Sequence, residues 1–189
     1  SNNEDIDLAI KSARKAFEES WGQMSAKERG KRLKKFAETI RKYENELTQI
    51  EVADVGKPVT QARADAIACA NYFEYYGEAA DKVLGETIPF NEGYTVLTLR
   101  EAHGVTGHIV PWNYPMQIIG RSVAAALAMG NTCVIKPAEI ASLSALKLAE
   151  IAKEAGLPAG AINIVTGLGS EVGAYLSAHA GLNHISFTG

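Results

Sequence analysis

Residues 105–139 read VTGHIVPWNYPMQIIGRSVAAALAMGNTCVIKPAE. The run 105–110 is apolar and β-branched, and predicts a buried strand. A loop with a proline at each end follows. An Ala-rich helix is then expected over 116–129, and a second strand over 132–135. Two strands joined through a helix lie parallel, because a crossover of that length returns the chain to the same edge. Downstream the alternation continues. It predicts a helix over 142–155 with Ser142 as N-cap and Gly156 as stop, a strand over 162–165, a helix over 170–177 and a strand over 184–187. The expected fold class is α/β. N-terminal helices lead into the first βαβ units of a doubly wound, Rossmann-like parallel sheet with right-handed crossovers.

Upstream, residues 4–83 read as helices. Ile6, Ile10, Ala13 and Phe17 recur at helical spacing, as do Leu33, Phe36, Ala37 and Ile40. Ser25 and Glu28 have capping-box spacing. A third helix carries Leu47, Ile50 and Val55 and stops at Gly56-Lys57-Pro58; a fourth carries Ala62, Ala66, Cys69, Ala70 and Phe73. Residues 94–102 are β-branched and aromatic, and predict a strand. Three regions follow: a helical part over 1–90, a bridging strand over 91–103, and dinucleotide-binding βαβ units over 104–189.

Composition narrows the function. The net charge of -3 leaves no footprint for nucleic acid or an anionic membrane. The basic cluster over 27–35 alternates with an apolar face and has acidic neighbours, so it reads as a solvated helix surface. No apolar run is long enough to span a bilayer, and no signal-peptide layout opens the chain. Cys69 and Cys133 make neither a disulfide framework nor a zinc pattern. Two reduced, buried thiols make the cytoplasm the default expectation. The four histidines show no ligand spacing and read as surface or satisfied side chains. The chain opens without Met and ends at Gly189 straight after a strand-like run, which reads as truncation.

Three segments could carry chemistry. Gly167, Gly169 and Gly173 lie between a strand and a helix, where backbone amides can face a phosphate. Their spacing is one residue longer than the dinucleotide fingerprint, so a purely conformational role stands level with a binding one. Lys136 and Glu139 follow a strand end and could hydrogen-bond a ribose diol, though a surface ion pair is the simpler reading from these residues alone. Asn113 is held between Pro111 and Pro115 on a stiff loop. Its amide could donate to a developing oxyanion, or it could be a turn Asn beside packed aromatics.

In order along nearly the whole chain, these segments resemble the aldehyde dehydrogenase superfamily. The resemblance rests on Ala16-Phe17, Trp21, Ser25-Ala26-Lys27-Glu28-Arg29, Gly56-Lys57-Pro58 and Pro111-Trp112-Asn113-Tyr114-Pro115. It continues through Gly130-Asn131, Lys136-Pro137-Ala138-Glu139, Gly156-Leu157-Pro158, Gly160, Asn163, Gly169, Gly173 and Phe187-Thr188-Gly189. It implies roles position by position. Asn113 is similar to the family's oxyanion-hole amide, and Tyr114 points toward the substrate tunnel. Lys136 and Glu139, with Ala138 between them, resemble the pair holding the adenosine ribose; a carboxylate there favours NAD over NADP. Gly169 and Gly173 resemble the approach to phosphate and adenine. Ile109, Val110, Pro111 and Trp112 resemble the wall beside the cofactor, and Phe187, Thr188 and Gly189 the strand end on the nicotinamide side.

The implied activity is NAD(P)-dependent oxidation of an aldehyde to a carboxylate through a Cys thiohemiacetal and thioester. The resemblance places that Cys and its Glu general base beyond Gly189, so this piece, cut at both ends of the family subunit, is expected to be inactive alone. The implied partner is a second copy, in a dimer or tetramer, with 94–102 crossing to it. No nucleic acid, membrane or metal is expected. Ser122 stands where many members carry Lys, which removes the usual relay from the expectation. Two alternatives remain: a non-catalytic cofactor-binding or oligomerisation module, and a CoA-acylating aldehyde dehydrogenase.

Overall fold

The computed structural model describes residues 1–189. Four helices open the chain: α1 (Asn3–Glu19), α2 (Ala26–Lys42), α3 (Glu44–Val55) and α4 (Val59–Ala79). A two-residue pair, β1 (Thr87–Ile88) and β2 (Val96–Leu97), runs antiparallel. Then come β3 (Val105–Val110), α5 (Pro115–Ala128), β4 (Thr132–Pro137), α6 (Leu143–Ala155), β5 (Ile162–Ile164), a single π turn (Gly169–Gly173) continuing into α7 (Ala174–Ala178), and β6 (His184–Phe187).

The main sheet has the order β5-β4-β3-β6, and all three of its pairings are parallel. Helices cover both faces. On one, α2, α4, α5 and α6 bury Trp21, Phe36, Phe73, Met116, Leu127 and Ile151 with Cys133 and Ile135 of β4. On the other, Ile6, Ile10 and Ala13 of α1 and Leu176 of α7 pack on Val105 and Val134. The first strand of the alternating region, β3, therefore lies inside the sheet, with β4 and β5 to one side and β6 to the other. The connections change face at that point, so the sheet is doubly wound, as expected.

Close approach of α2 and α4 is set by glycine. A Cβ on Gly30 would lie 2.4 Å from the Gly77 carbonyl oxygen. The C-terminus of α5 is satisfied from a distance, by Trp21 Nε1 donating to the Leu127 carbonyl (3.1 Å) and Arg29 Nε to that of Ala128 (3.1 Å).

Some expectations need correction. Residues 94–102 do not form a strand; only Val96–Leu97 pairs, because a two-stranded ribbon without a packed face cannot hold more. Ser142 does not cap α6 with its side chain; Asp54 Oδ2 accepts from Leu143 N instead (2.8 Å). The Ser25 capping box is half made. Ser25 Oγ accepts from Glu28 N, while the Glu28 carboxylate turns to Lys31 Nζ (2.7 Å). A complete box closes α1 instead, between Asn2 and Asp5. The helix expected over 170–177 begins as the π turn. His108 is not a satisfied histidine: it is buried, and its Nδ1 has no partner.

Candidate active site at the strand ends

In a doubly wound sheet the crevice for ligands opens at the carboxyl ends of the strands, where the connections change face. The candidate residues converge there. Thr188 N donates to the Ile109 carbonyl (3.1 Å), so Phe187, Thr188 and Gly189 sit beside Ile109, Val110, Pro111 and Trp112. Ala138 N donates to the Val110 carbonyl (2.9 Å), which ties the end of β4 to the same crest.

Lys136 is 3% exposed, and its Nζ donates to Glu139 Oε2 at 3.1 Å. Glu139 is exposed, and its own backbone N–H together with Lys136 holds its carboxyl below the ordinary carboxylate range. The pair therefore offers an ammonium on a buried stem and an ionised carboxylate at the surface. Gly169 comes next to it: a Cβ built there would sit 4.0 Å from Lys136 Nζ. Gly173, by contrast, is buried at the far end of the π turn. The amides of Glu171 and Gly173 already donate to the Leu168 carbonyl, at 3.2 and 3.3 Å. The turn therefore has fewer free donors than an open helix N-terminus.

The Asn113 loop crowns β3. Trp112, Asn113 and Tyr114 are exposed, while Pro115 and Met116 are buried and begin α5. A proline stands at each end of the loop, Pro111 half-buried and Pro115 buried. Tyr114 also lines a cleft of about 130 Å³ with Tyr72, Gln117, Ile118 and Arg121. A larger cleft of about 440 Å³ adjoins it through Tyr72, lined by Ala68, Asn71, Tyr75 and Tyr76. Both open on the α4–α5 side, away from Lys136. Ser122 Oγ donates to the Ile118 carbonyl (2.8 Å), so it is held within α5.

The two thiols are chemically quiet. Burial pushes the Cys133 thiol up to about 12 and raises that of Cys69 as well. Neither forms a disulfide. No cluster of His, Cys, Asp or Glu has the makings of a metal site. No helix is long and apolar enough to cross a membrane.

Sequence reading missed one group near the site. Lys57, seen only as part of a helix stop, lies under Tyr114 with its Nζ 4.1 Å from the ring centroid. It is paired with Glu51 and Asp65, whose side chains are fully buried. A Lys fixed directly behind a Gly helix stop is the only local hint, and it does not say which distant acids will meet it.

The aldehyde dehydrogenase family model matches residues 1–189. The chain is 47% identical over 188 residues to hydroxyisobutyraldehyde dehydrogenase of Mycolicibacterium austroafricanum, covering 100% of this chain and 37% of that protein. A solved Burkholderia cenocepacia structure, ascribed to an aldehyde dehydrogenase, superimposes with a TM-score of 0.97 at 61% identity, over 99% of this chain and 40% of that one. The NAD+ complex of an aldehyde dehydrogenase from Bacillus cereus matches with a TM-score of 0.97 at 41% identity, over 100% of this chain and 39% of that one. The chain thus spans about two-fifths of the length of these relatives. With the family model covering every residue, the chain belongs to the aldehyde dehydrogenase family.

Proposed function

We propose that the protein containing this chain oxidises an aldehyde to a carboxylate with NAD. The observation that carries the reading is the shared sheet end, where the Asn113 loop, the Lys136–Glu139 pair and Phe187–Gly189 lie at the carboxyl ends of the adjacent strands β3, β4 and β6 of a doubly wound sheet. The Bacillus cereus relative binds NAD+, and the residues here fit the same group. Lys136 and Glu139 present a donor and an ionised acceptor to the two hydroxyls of a ribose. The negative charge of Glu139 disfavours a 2′-phosphate, so NAD is preferred over NADP. Gly169, without a side chain, leaves the approach to Lys136 open, and Gly173 closes the turn behind it. When bound, NAD supplies the hydride acceptor.

This chain's own contribution to the chemistry is orientation and charge stabilisation. The Asn113 amide, held on its proline-bounded loop, donates to the aldehyde oxygen as that oxygen becomes negative. Trp112 and Tyr114 shape the ground around it, and Tyr114 forms one wall of the substrate cleft. The attacking thiolate comes from neither Cys69 nor Cys133, since burial keeps both protonated. The chain by itself is therefore expected to oxidise no aldehyde.

A homo-oligomer belongs to the same reading. Phe90, Tyr94, Leu97 and Leu99, on and around the small ribbon, are 59–79% exposed and give a second copy an apolar surface.

The test is made on the full-length protein. NAD should bind, NADP should bind more weakly, and an aldehyde should yield the acid without CoA. A protein that binds no dinucleotide, or that forms a thioester only when CoA is added, overturns the reading.

A further inference from the structure

The loop that carries Asn113 is exposed, and α5 behind it begins without a side-chain cap. Something must hold its first turn. Lys57 lies directly below, in the bend between α3 and α4. An ammonium has three N–H donors, and here each has a destination. One goes to Asp65 Oδ2, one to Glu51 Oε1 at 3.4 Å, and the third faces the Tyr114 ring, 4.1 Å from its centroid. Asp65 then reaches the same helix turn from the other side: its Oδ1 accepts from Gln117 Nε2 at 2.6 Å, and also from Gln61 Nε2 at 3.1 Å. Tyr114 directly precedes α5, and Gln117 lies in its first turn. That turn is thus gripped at two points by one buried network. The ring of Tyr114 rests on the cation with one side and forms the wall of the small cleft with the rest.

We propose that Lys57, fixed by Asp65 and Glu51, is a positioning residue that sets the Tyr114 ring and thereby the direction of the neighbouring Asn113 amide; this rests on the function proposed above. Holding three helices together does not require ions here. A buried ion network is no more stabilising than an apolar cluster of the same volume, and is often less so. What it supplies is direction: a cation over a ring face and a carboxylate between two amides fix geometry that apolar packing leaves loose. Glu51 shows the cost. Its Oε2 has no partner, and burial raises its carboxyl above the ordinary range against the pull of Lys57.

The experiment uses the full-length protein, with Lys57→Met, Lys57→Arg, Tyr114→Leu and the Lys57→Met/Tyr114→Leu double variant. NAD affinity reports an intact fold, since Lys136 and Glu139 lie away from Lys57. Lys57→Met is expected to lower kcat by about 10- to 100-fold, the scale of a misplaced catalytic group, with NAD affinity nearly unchanged and aldehyde KM moved less than kcat. Arginine also places a cation over a ring, so Lys57→Arg should recover most of the rate. Tyr114→Leu removes the ring but leaves the ion pairs of Lys57 with Asp65 and Glu51 in place; it should lose rate similarly, and the double variant should be no slower than the slower single. A Lys57→Met or Tyr114→Leu protein with wild-type kcat, or losses that multiply in the double variant, would overturn the inference. Wild-type protein that oxidises no aldehyde would instead overturn the proposed function, and this inference with it. If Lys57→Met fails to bind NAD, Tyr114→Phe against Tyr114→Leu decides: the variant that keeps a ring over the cation should keep most of the rate, and a Phe variant as slow as the Leu one would overturn the inference.

Discussion

Asn113 and His108 lie five residues apart and have opposite chemistries. Asn113 is exposed and aimed by its prolines, and the proposed role gives its replacement a clear cost. Asn113→Ala in the full-length protein should lower kcat by about 100- to 1000-fold, the loss seen when one oxyanion donor is removed. NAD affinity, measured by titration, should stay close to wild type, because the proposed dinucleotide contacts lie at Lys136 and Glu139. His108 is buried in β3, with Nε2 against Thr106 Oγ1 at 2.9 Å and Nδ1 without a partner. Burial, with His184 nearby, pushes its imidazole down to about 4 from 6.5. The folded chain therefore resists a proton that the unfolded chain accepts. The stability this confers is complete above about pH 6.5 and is lost as the pH falls toward 4, by about 3 kcal/mol in all. His108→Gln, with similar volume and no titration in this range, should flatten the dependence of unfolding free energy on pH between those values. An unchanged slope would show that His108 is not its source.

At the scale of elements, the crossing of α2 over α4 is the most exacting contact. The Cβ of Gly30→Ala would meet the Gly77 carbonyl oxygen, a backbone atom that cannot rotate away. Against the small gain in helix propensity, the helices must separate, and a loss of about 1–3 kcal/mol is expected. Thermal unfolding measures it, and a Tm at or above wild type would contradict the crossing. Glu51 allows the opposite prediction. Its carboxyl is raised by burial, so its native state favours the proton: any stability from it is present at low pH and lost as the pH rises through the raised value. Near neutrality it is a buried charge shared with Asp65 over a single Lys57. Glu51→Gln should therefore leave Tm equal or higher at neutral pH, and the advantage should shrink on acidification. A fall in Tm at neutral pH would show that its charge is needed.

Across the whole molecule, the candidate residues fall into two groups. Dinucleotide-type residues gather at β4 and the π turn, while the Tyr114 cleft opens over α4 and α5. Asn113 sits on the loop from β3; the end of β3 accepts from Ala138 N beside β4, and the residue after Asn113, Tyr114, lines the cleft. Residues 1–189 alone should accordingly show no aldehyde oxidation when assayed with NAD, because both thiols are buried and protonated. Oxidation by the isolated chain would overturn that assignment of the thiols.

The amino-acid sequence by itself determined the alternation of strand and helix, the parallel sheet, the strand-end residues and the family, because these depend on local periodicity, on glycine and proline, and on ordered short motifs. Residues 184–187 were legible as a strand, and Lys136 and Glu139 as a pair, since residues three apart across a strand end are neighbours whatever the rest of the chain does. Residues 94–102 were not. Their β-rich composition suits a strand, but pairing needs a neighbouring edge, and the structure offers only Thr87–Ile88. Only the tertiary structure decided that Asp54, 89 residues before Leu143, ends up accepting from Leu143 N (2.8 Å), that His108 is left half-satisfied, and that Lys57, Asp65, Gln117 and Tyr114 form one clamp. Each of these joins residues far apart along the chain. Long-range contacts of this kind are set by how helices pack on the sheet, which no local pattern encodes.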